Sequence, residues 1–586
     1  MTSRSSHGEI RLTESATNSA GLFRNPDPIE IGEIELALGA PCGIESTTFQ
    51  SIILQTGRHS SVSSNNATMS NQNPSSAPSN KNRMFQATMW VTVVIFISKA
   101  FGFVRDAISA GYFTKAERDI FNSAYSLFYL PVLLFSSCIT STLIPLYIDA
   151  RDLEGKRSAD HFASNCINMF AVFSLAVGLF MMFLSDPLVH LIYGGYDVAK
   201  REAIAQLTRI MMPSLMFVVL SIVLSSVLNA NERYVAAQLT GFPLSFAMIA
   251  GIWYFMPRYG LNAVAWSVFV AGILQVLILA PSLSKSMRYS LHMHAGDSRF
   301  KRMLLLALPS MASMAVSEVN HMVDKSVASY LQAGDLSSMD YAFRLITFAT
   351  GVLCVPITTV MFSKISKHAA ARNLSGAREM TNQTIEALAL ILLPITVIGC
   401  VLSYDVIQLA YGRNQFGHDA VLVTAGVFAF YLVGVLGFAV RDVYNRVFHA
   451  FKDTKTPLYV AVASVILHIG MTIALSRVMG ANGMALATSI SGFLSVAALM
   501  ILLHKKIGHM GLRATSVQLG KMGLAAVACL ICVLGLHHVI PRASGTLMLF
   551  FRLCLITGAS IIVYVGCLMA MKVEQLEFVH RRLRKR

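Results

Sequence analysis

Charge is the scarcest chemistry in this sequence. Asp, Glu, Lys and Arg make up 13% of the residues, about half the share usual in soluble domains, while 54% are hydrophobic. This excludes a soluble globular chain: apolar runs of about 20 residues, each long enough to cross a bilayer as a helix, recur along most of the length. Cysteine is also sparse, with 9 among 586 residues, mostly inside apolar runs. The C-x-x-C pair, Cys529 and Cys532, lies in the apolar stretch ACLICVLG with no second pair or histidine cluster beside it, which argues against a zinc site or a disulfide framework. No Walker A, H-E-x-x-H or G-x-S-x-G pattern occurs, and the segments between apolar runs on the outer side are too short to assemble a catalytic constellation. An enzyme is therefore not expected, and neither a metal nor another cofactor is implied. The aromatic residues sit within the apolar runs rather than among the basic ones, so the net charge of +16 does not describe a nucleic-acid groove.

What the chain does contain is an all-α polytopic membrane protein with about fourteen transmembrane helices. Residues 1–83 stand apart. The stretch GRHSSVSSNNATMSNQNPSSAPSNKNR is too poor in apolar side chains to offset its own ordering entropy and is expected to be disordered; Met84, where the first apolar segment opens, is a candidate for the true start. An even number of spans puts both ends on one side. Lys and Arg in the loops of that side outnumber those opposite by 19 to 8, which places both termini of the multi-pass chain in the cytoplasm. The basic ending RRLRKR agrees and also suits anionic lipid headgroups.

The chain also repeats itself. SDPLVHLIYGGYD (185–197) matches SYDVIQLAYGRNQ (403–415), VLNANERYVAA (227–237) corresponds to VFHAFKDTKTP (447–457), and MPRYGLNAVAWS (256–267) corresponds to SRVMGANGMALATS (476–489), all offset by about 220 residues. The expected plan is an N-lobe of six helices over 84–283, a C-lobe of six over 284–505, two further helices within 506–571, and a basic cytoplasmic tail over 572–586. Six is an even number, so both copies enter the membrane from the same side and a pseudo-two-fold axis runs along the membrane normal. Pro131 and Pro213 mark expected breaks in the second and fourth spans.

Against that apolar background, SKAFGFVRDAISAGYF (98–113) carries Lys99, Arg105 and Asp106 within the first span, and Asp119 follows just beyond it. A charge at the centre of a span costs about 2.5–3.5 kcal/mol on insertion scales, so each of these should face a partner or a watery cavity. Glu318, Asp324 and Lys325 lie on the first helix of the second lobe, and Arg344 lies on the next. Asp106, Glu318, Asp324 and Lys325 are candidates either for ion coupling or for a salt-bridge network that holds the bundle together. Arg441, Asp442 and Arg446 have spacings that permit local pairing. Cations facing a shared cavity suit an anionic substrate, because the Arg fork grips phosphate oxygens at two points.

These segments resemble those of the lipid II flippase family, MviN-type members of the multidrug/oligosaccharidyl-lipid/polysaccharide exporter superfamily. The resemblance rests on SKAFGFVRDAISAGYF with Asp119-Ile-Phe, on YAFRLITFATGVLCVPITTVMFSKISK (341–367), on LAYGRNQFGHDA (409–420) and on KDTKTP (452–457), and it spans about 84–571. It implies a flippase that carries an undecaprenyl-diphosphate-linked peptidoglycan precursor between leaflets by alternating access. Lys99, Arg105, Asp119 and Arg344 would be the substrate-binding residues; the diphosphate headgroup, membrane lipids and a coupling ion would be the partners. Lys99 stands where the family usually has Arg. After Leu130-Pro131 the family continues with paired Arg and a Glu-Gly-Ala, whereas LPVLLFSSCITSTLIP (130–145) carries no charge. A flippase for another polyprenyl-linked oligosaccharide is the alternative, and a cation-coupled multidrug exporter ranks below it.

Overall fold

The computed structural model describes residues 80–508, 511–541, 545–573 and 575. The expected disorder before residue 80, Arg542 and the basic ending lie outside them. Among the described residues all the regular structure is helical. In order it runs α1 Asn80–Tyr112, α2 Lys115–Glu154, α3 Lys156–Phe183, the short α4 Ser185–Ile192, α5 Val198–Ala230, α6 Tyr234–Tyr259 and α7 Leu261–Ser284. After the linker 285–297 come α8 Ser298–Ala328, α9 Asp335–Ala370, α10 Leu374–Val401, the short α11 Ser403–Tyr411, α12 His418–Ala450, α13 Lys455–Met479 and α14 Ala481–Ile507, and then α15 Leu512–Val539 and α16 Thr546–Ala570. Thirteen of these are long and apolar enough to cross a membrane. The 33-residue α1, about 50 Å long at 1.5 Å per residue, is not among these thirteen and lies where the sequence led one to expect the first of fourteen spans; it begins at Asn80, a few residues ahead of the boundary expected at 83.

The duplication is carried in the helix order itself. Each lobe has six long helices, with one short helix, α4 or α11, inserted after the third. The joints match as well. The turn between α6 and α7 uses Gly260 at φ 61°, and its counterpart between α13 and α14 uses Gly480 at φ 58°, a backbone conformation that glycine alone adopts without strain. Glu232 and Lys452, also 220 positions apart, take φ 61° and 57° where α5 and α12 end. In the second of these turns Asp453 accepts the Thr456 amide at 3.0 Å and the Thr456 hydroxyl at 2.8 Å, and pairs with Lys506. Its partial burial works to raise its pKa, but these bonds prevail and hold the carboxyl below the usual range.

The prolines have different consequences. Pro213 lies in the 3-10 turn Met212–Ser214 that interrupts α5, as expected, whereas α2 runs as one 40-residue helix through both Pro131 and Pro145. Within the spans, hydroxyls commonly return to their own helix; Thr142, for example, donates to the Cys138 carbonyl at 2.7 Å. Side chains such as Phe183, Trp253, Ile466 and Ile562 stay exposed on the outer surface, which fits contact with lipid. Close helix contact needs small residues: a Cβ on Gly434 of α12 would meet Ser489 of α14 at 2.4 Å.

The two lobes are joined by a linker that is fastened rather than loose. Asp160, Ser164, Asn165 and Asn168 form a polar ladder along α3. Asp160 accepts the Arg288 amide at 3.0 Å, Ser164 accepts the Ser290 amide at 3.1 Å, and Asn165 accepts the His294 amide at 2.7 Å. Asn168 donates to the His292 carbonyl at 2.8 Å. This ladder satisfies backbone groups that an extended segment would otherwise leave unpaired. At the other end of the chain, α15 and α16 pack on α10, and Arg552 of α16 reaches Asp405 of α11; these side chains are 3% and 2% exposed.

Candidate functional site

The charged residues of α1 meet the second lobe at one point. Arg105 donates through Nη2 to Oδ1 of its neighbour Asp106 at 2.8 Å, and Arg344 of α9 reaches the same oxygen through Nη1 at 2.9 Å. Arg344 also donates to Asn122 Oδ1 of α2 at 3.4 Å and lies 5.6 Å from the centre of the Tyr341 ring. One carboxylate is thus shared by two guanidinium groups, one from each lobe, leaving an excess of one positive charge. Lys99 adds to it: its Nζ comes so near Gly351 of α9 that a Cβ there would sit 3.2 Å away. Lys99, Arg105 and Arg344, expected together, are all placed where α1 faces α9. Arg344 remains 32% exposed, so the cluster is open to more than its own partners.

Asp119 is placed elsewhere. It is fully buried, and its two oxygens accept the backbone amides of Gly334 at 2.6 Å and Ser337 at 3.1 Å. These amides open α9, where a helix has donors without internal partners and favours negative charge. Asp119 therefore caps a helix of the opposite lobe with both oxygens engaged. Other contacts close the same side: Gln415 donates its amide to the Gly111 carbonyl at 3.0 Å, Ser109 and Tyr341 share a hydroxyl hydrogen bond of 3.0 Å, and Lys115 pairs with Asp419 at 3.6 Å.

Of the remaining candidates, Lys325 and Asp324 each face a residue of another helix. Lys325 of α8 donates to Ser126 of α2 and lies 3.4 Å from Asp340 of α9. Asp324 turns the other way, 3.7 Å from His468 of α13, whose ring also contacts Asn320 at 3.0 Å and Thr488 at 3.2 Å. Glu318 is half-buried higher on α8. The local pairing expected of Arg441, Asp442 and Arg446 is not found among the described residues. Arg441 and Arg446 instead lie 5.7 and 5.9 Å from the centres of the Phe438 and Phe362 rings, because quadrupolar ring faces are the nearest polarisable groups in an apolar setting.

Asn122, Ser126, Tyr341 and Asp340 complete the site without having been singled out in the sequence. Asn122 and Ser126 are four residues apart and so share one face of α2, a spacing that could have drawn attention to them. The uncharged stretch 130–145 forms the continuation of α2, where Ser141 Oγ meets Ser310 Oγ of α8 at 3.3 Å. Hydroxyls thus join the lobes where the resemblance led one to expect cations.

Comparison with known proteins follows the same lines. The family described as "Lipid II flippase MurJ" matches residues 108–555. A probable lipid II flippase MurJ of Rhizobium meliloti is 27% identical over 430 residues, covering 71% of this chain and 79% of its own. One from Thermotoga maritima is 25% identical over 501 residues, covering 84% and 98%. Among solved structures, a lipid II flippase MurJ in an inward closed conformation superposes with a TM-score of 0.69 at 22% identity, covering 83% of this chain and 100% of that one. An inward-facing multidrug resistance MATE family transporter of the MOP superfamily gives 0.62 at 13% identity, covering 72% and 99%. At such identities the structural likenesses establish the fold alone.

Proposed function

The chain belongs to the lipid II flippase MurJ family, and from that membership we propose that it carries lipid II, a polyprenyl-diphosphate-linked peptidoglycan precursor, from the inner to the outer leaflet of the bacterial cytoplasmic membrane. The observation that carries this reading is the Arg105–Asp106–Arg344 cluster, in which cations from two lobes share a single carboxylate. A diphosphate entering between the lobes offers several oxygens to two guanidinium forks that otherwise compete for Asp106. Lys99 adds a third positive charge beside them. Binding would then weaken the Arg344–Asp106 bond that joins the lobes, and rocking of one lobe on the other would expose the substrate to the opposite side.

Fourteen spans put the basic connections 285–297, 371–373 and 451–454 on the side of the N-terminus, which supports a cytoplasmic location for both ends. On that orientation the contacts around Asp119 close the outer side, and the site is loaded from the cytoplasm. Asp119 acts as a fastener of this closed side rather than as a phosphate ligand. We assign the Lys325–Asp340 and Asp324–His468 pairs to cohesion of the helices around α8.

The uncharged stretch 130–145 favours a second reading, a flippase for another polyprenyl-diphosphate-linked glycan, since the two would share diphosphate recognition and differ in the sugars met by α2. Complementation separates them. In cells depleted of their own lipid II flippase, expression of this protein is expected to restore growth. Failure to do so at normal membrane levels would refute lipid II as the cargo and favour the other glycan lipid.

A further inference from the structure

The span boundaries read from the sequence put Arg118 in an outer loop, but the structure buries it. Its residue exposure is 1%, and none of its three guanidinium nitrogens has a hydrogen-bond partner among the described residues. The contact it makes is with a ring of the other lobe: its guanidinium carbon lies 4.5 Å from the centre of Phe416. Phe416 belongs to an aromatic group with Tyr341 and Tyr411, at centroid distances of 5.8 and 5.9 Å. The adjacent carboxylate of Asp119 does not answer the charge with a hydrogen bond, because both its oxygens are taken by the α9 amides.

We infer that Arg118 is a second anion-binding station, covered while the outer side is closed and available to the diphosphate when the lobes part there; this rests on the flippase reading for the direction of travel. Three features lead to it. A buried cation without a hydrogen-bonded partner is costly, and a ring face returns only part of that cost, so the closed side holds an unfavourable contribution that opening relieves. The covering ring is on one lobe and the cation on the other, so separation of the lobes is what uncovers it. Finally, Arg118 is four residues before Asn122, the acceptor of Arg344, and therefore shares its face of α2 one helical turn further toward the outer side. An anion leaving Arg344 would meet the free fork of Arg118 next.

The test uses purified full-length protein in vesicles free of lipid II, carrying Ser337→Cys as a reporter. Ser337 is 2% exposed and its amide binds Asp119, so the residue lies within the closed contact. A membrane-impermeant thiol reagent is added from the outer side, labelling is corrected for the native cysteines, and inorganic pyrophosphate is the probe. With Arg118 present, millimolar pyrophosphate should speed labelling several-fold, because an anion that binds only the open form shifts the population toward it. Arg118→Lys should keep a weaker acceleration and Arg118→Gln should lose it. No acceleration in the protein with Arg118, or equal acceleration in Arg118→Gln, would overturn the assignment. The first comparison stands even if the Gln variant does not fold. Pyrophosphate carries neither lipid nor sugar, so the outcome is independent of whether complementation succeeds.

Discussion

Arg344→Ala is expected to abolish rescue of flippase-depleted cells and to slow flipping of lipid II in vesicles by roughly 30-fold or more. An effect of this size follows from the bonds that disappear. Arg344 joins the lobes through Asp106 at 2.9 Å and through Asn122 at 3.4 Å, and a hydrogen bond to a charged group is worth about 1.5–3 kcal/mol, with each 1.4 kcal/mol worth about tenfold. The alanine variant also removes half of the guanidinium pair offered to a diphosphate. Arg344→Lys keeps the charge without the planar fork and should fall between parent and alanine. Growth and flipping rate, both normalised to protein in the membrane, check this; unchanged flipping by Arg344→Ala would exclude it from substrate handling.

The second large effect concerns stability. Asp405→Asn should lower the free energy of unfolding by about 3–5 kcal/mol, because it strands the Arg552 charge in a site where both side chains are almost fully buried. The pair fastens α16 to α11, and so holds the two C-terminal helices against the second lobe. Arg552 also donates to the carbonyls of Ile540 at 3.2 Å and His537 at 3.3 Å. Replacing both partners, Asp405→Leu with Arg552→Met, should therefore recover only part of the loss: it removes the buried charge but leaves these carbonyls without their donor. Thermal unfolding of the purified protein in detergent measures both; a single variant as stable as the parent would contradict the role given to the pair.

The architecture was legible because the membrane imposes it. Hydropathy marked the spans, and the repeat appeared in the very segments, 185–197 with 403–415, that became the short helices α4 and α11. Lys99, Arg105 and Arg344 could be singled out because charge within lipid requires a reason. The contacts of Asp119 could not be read, since the amides it binds belong to Gly334 and Ser337, more than 200 residues away, and a backbone amide leaves no trace in side-chain pattern. Arg118 escaped for a related reason. A cation near the end of a span looks like a loop residue until the opposite lobe covers it. Asn122 and Ser126 are ordinary polar residues on α2, and their importance comes from Arg344 and Lys325, which reach them from other helices.

The central claim is that cations contributed by two lobes jointly hold a phosphorylated headgroup. Equilibrium binding of lipid II to the purified protein, compared among the parent, Arg105→Ala and Arg344→Ala, tests it most directly. Loss of one charged hydrogen bond should weaken binding about tenfold or more in each variant, with pyrophosphate competing in the parent. Affinity equal to the parent's in both variants would contradict it.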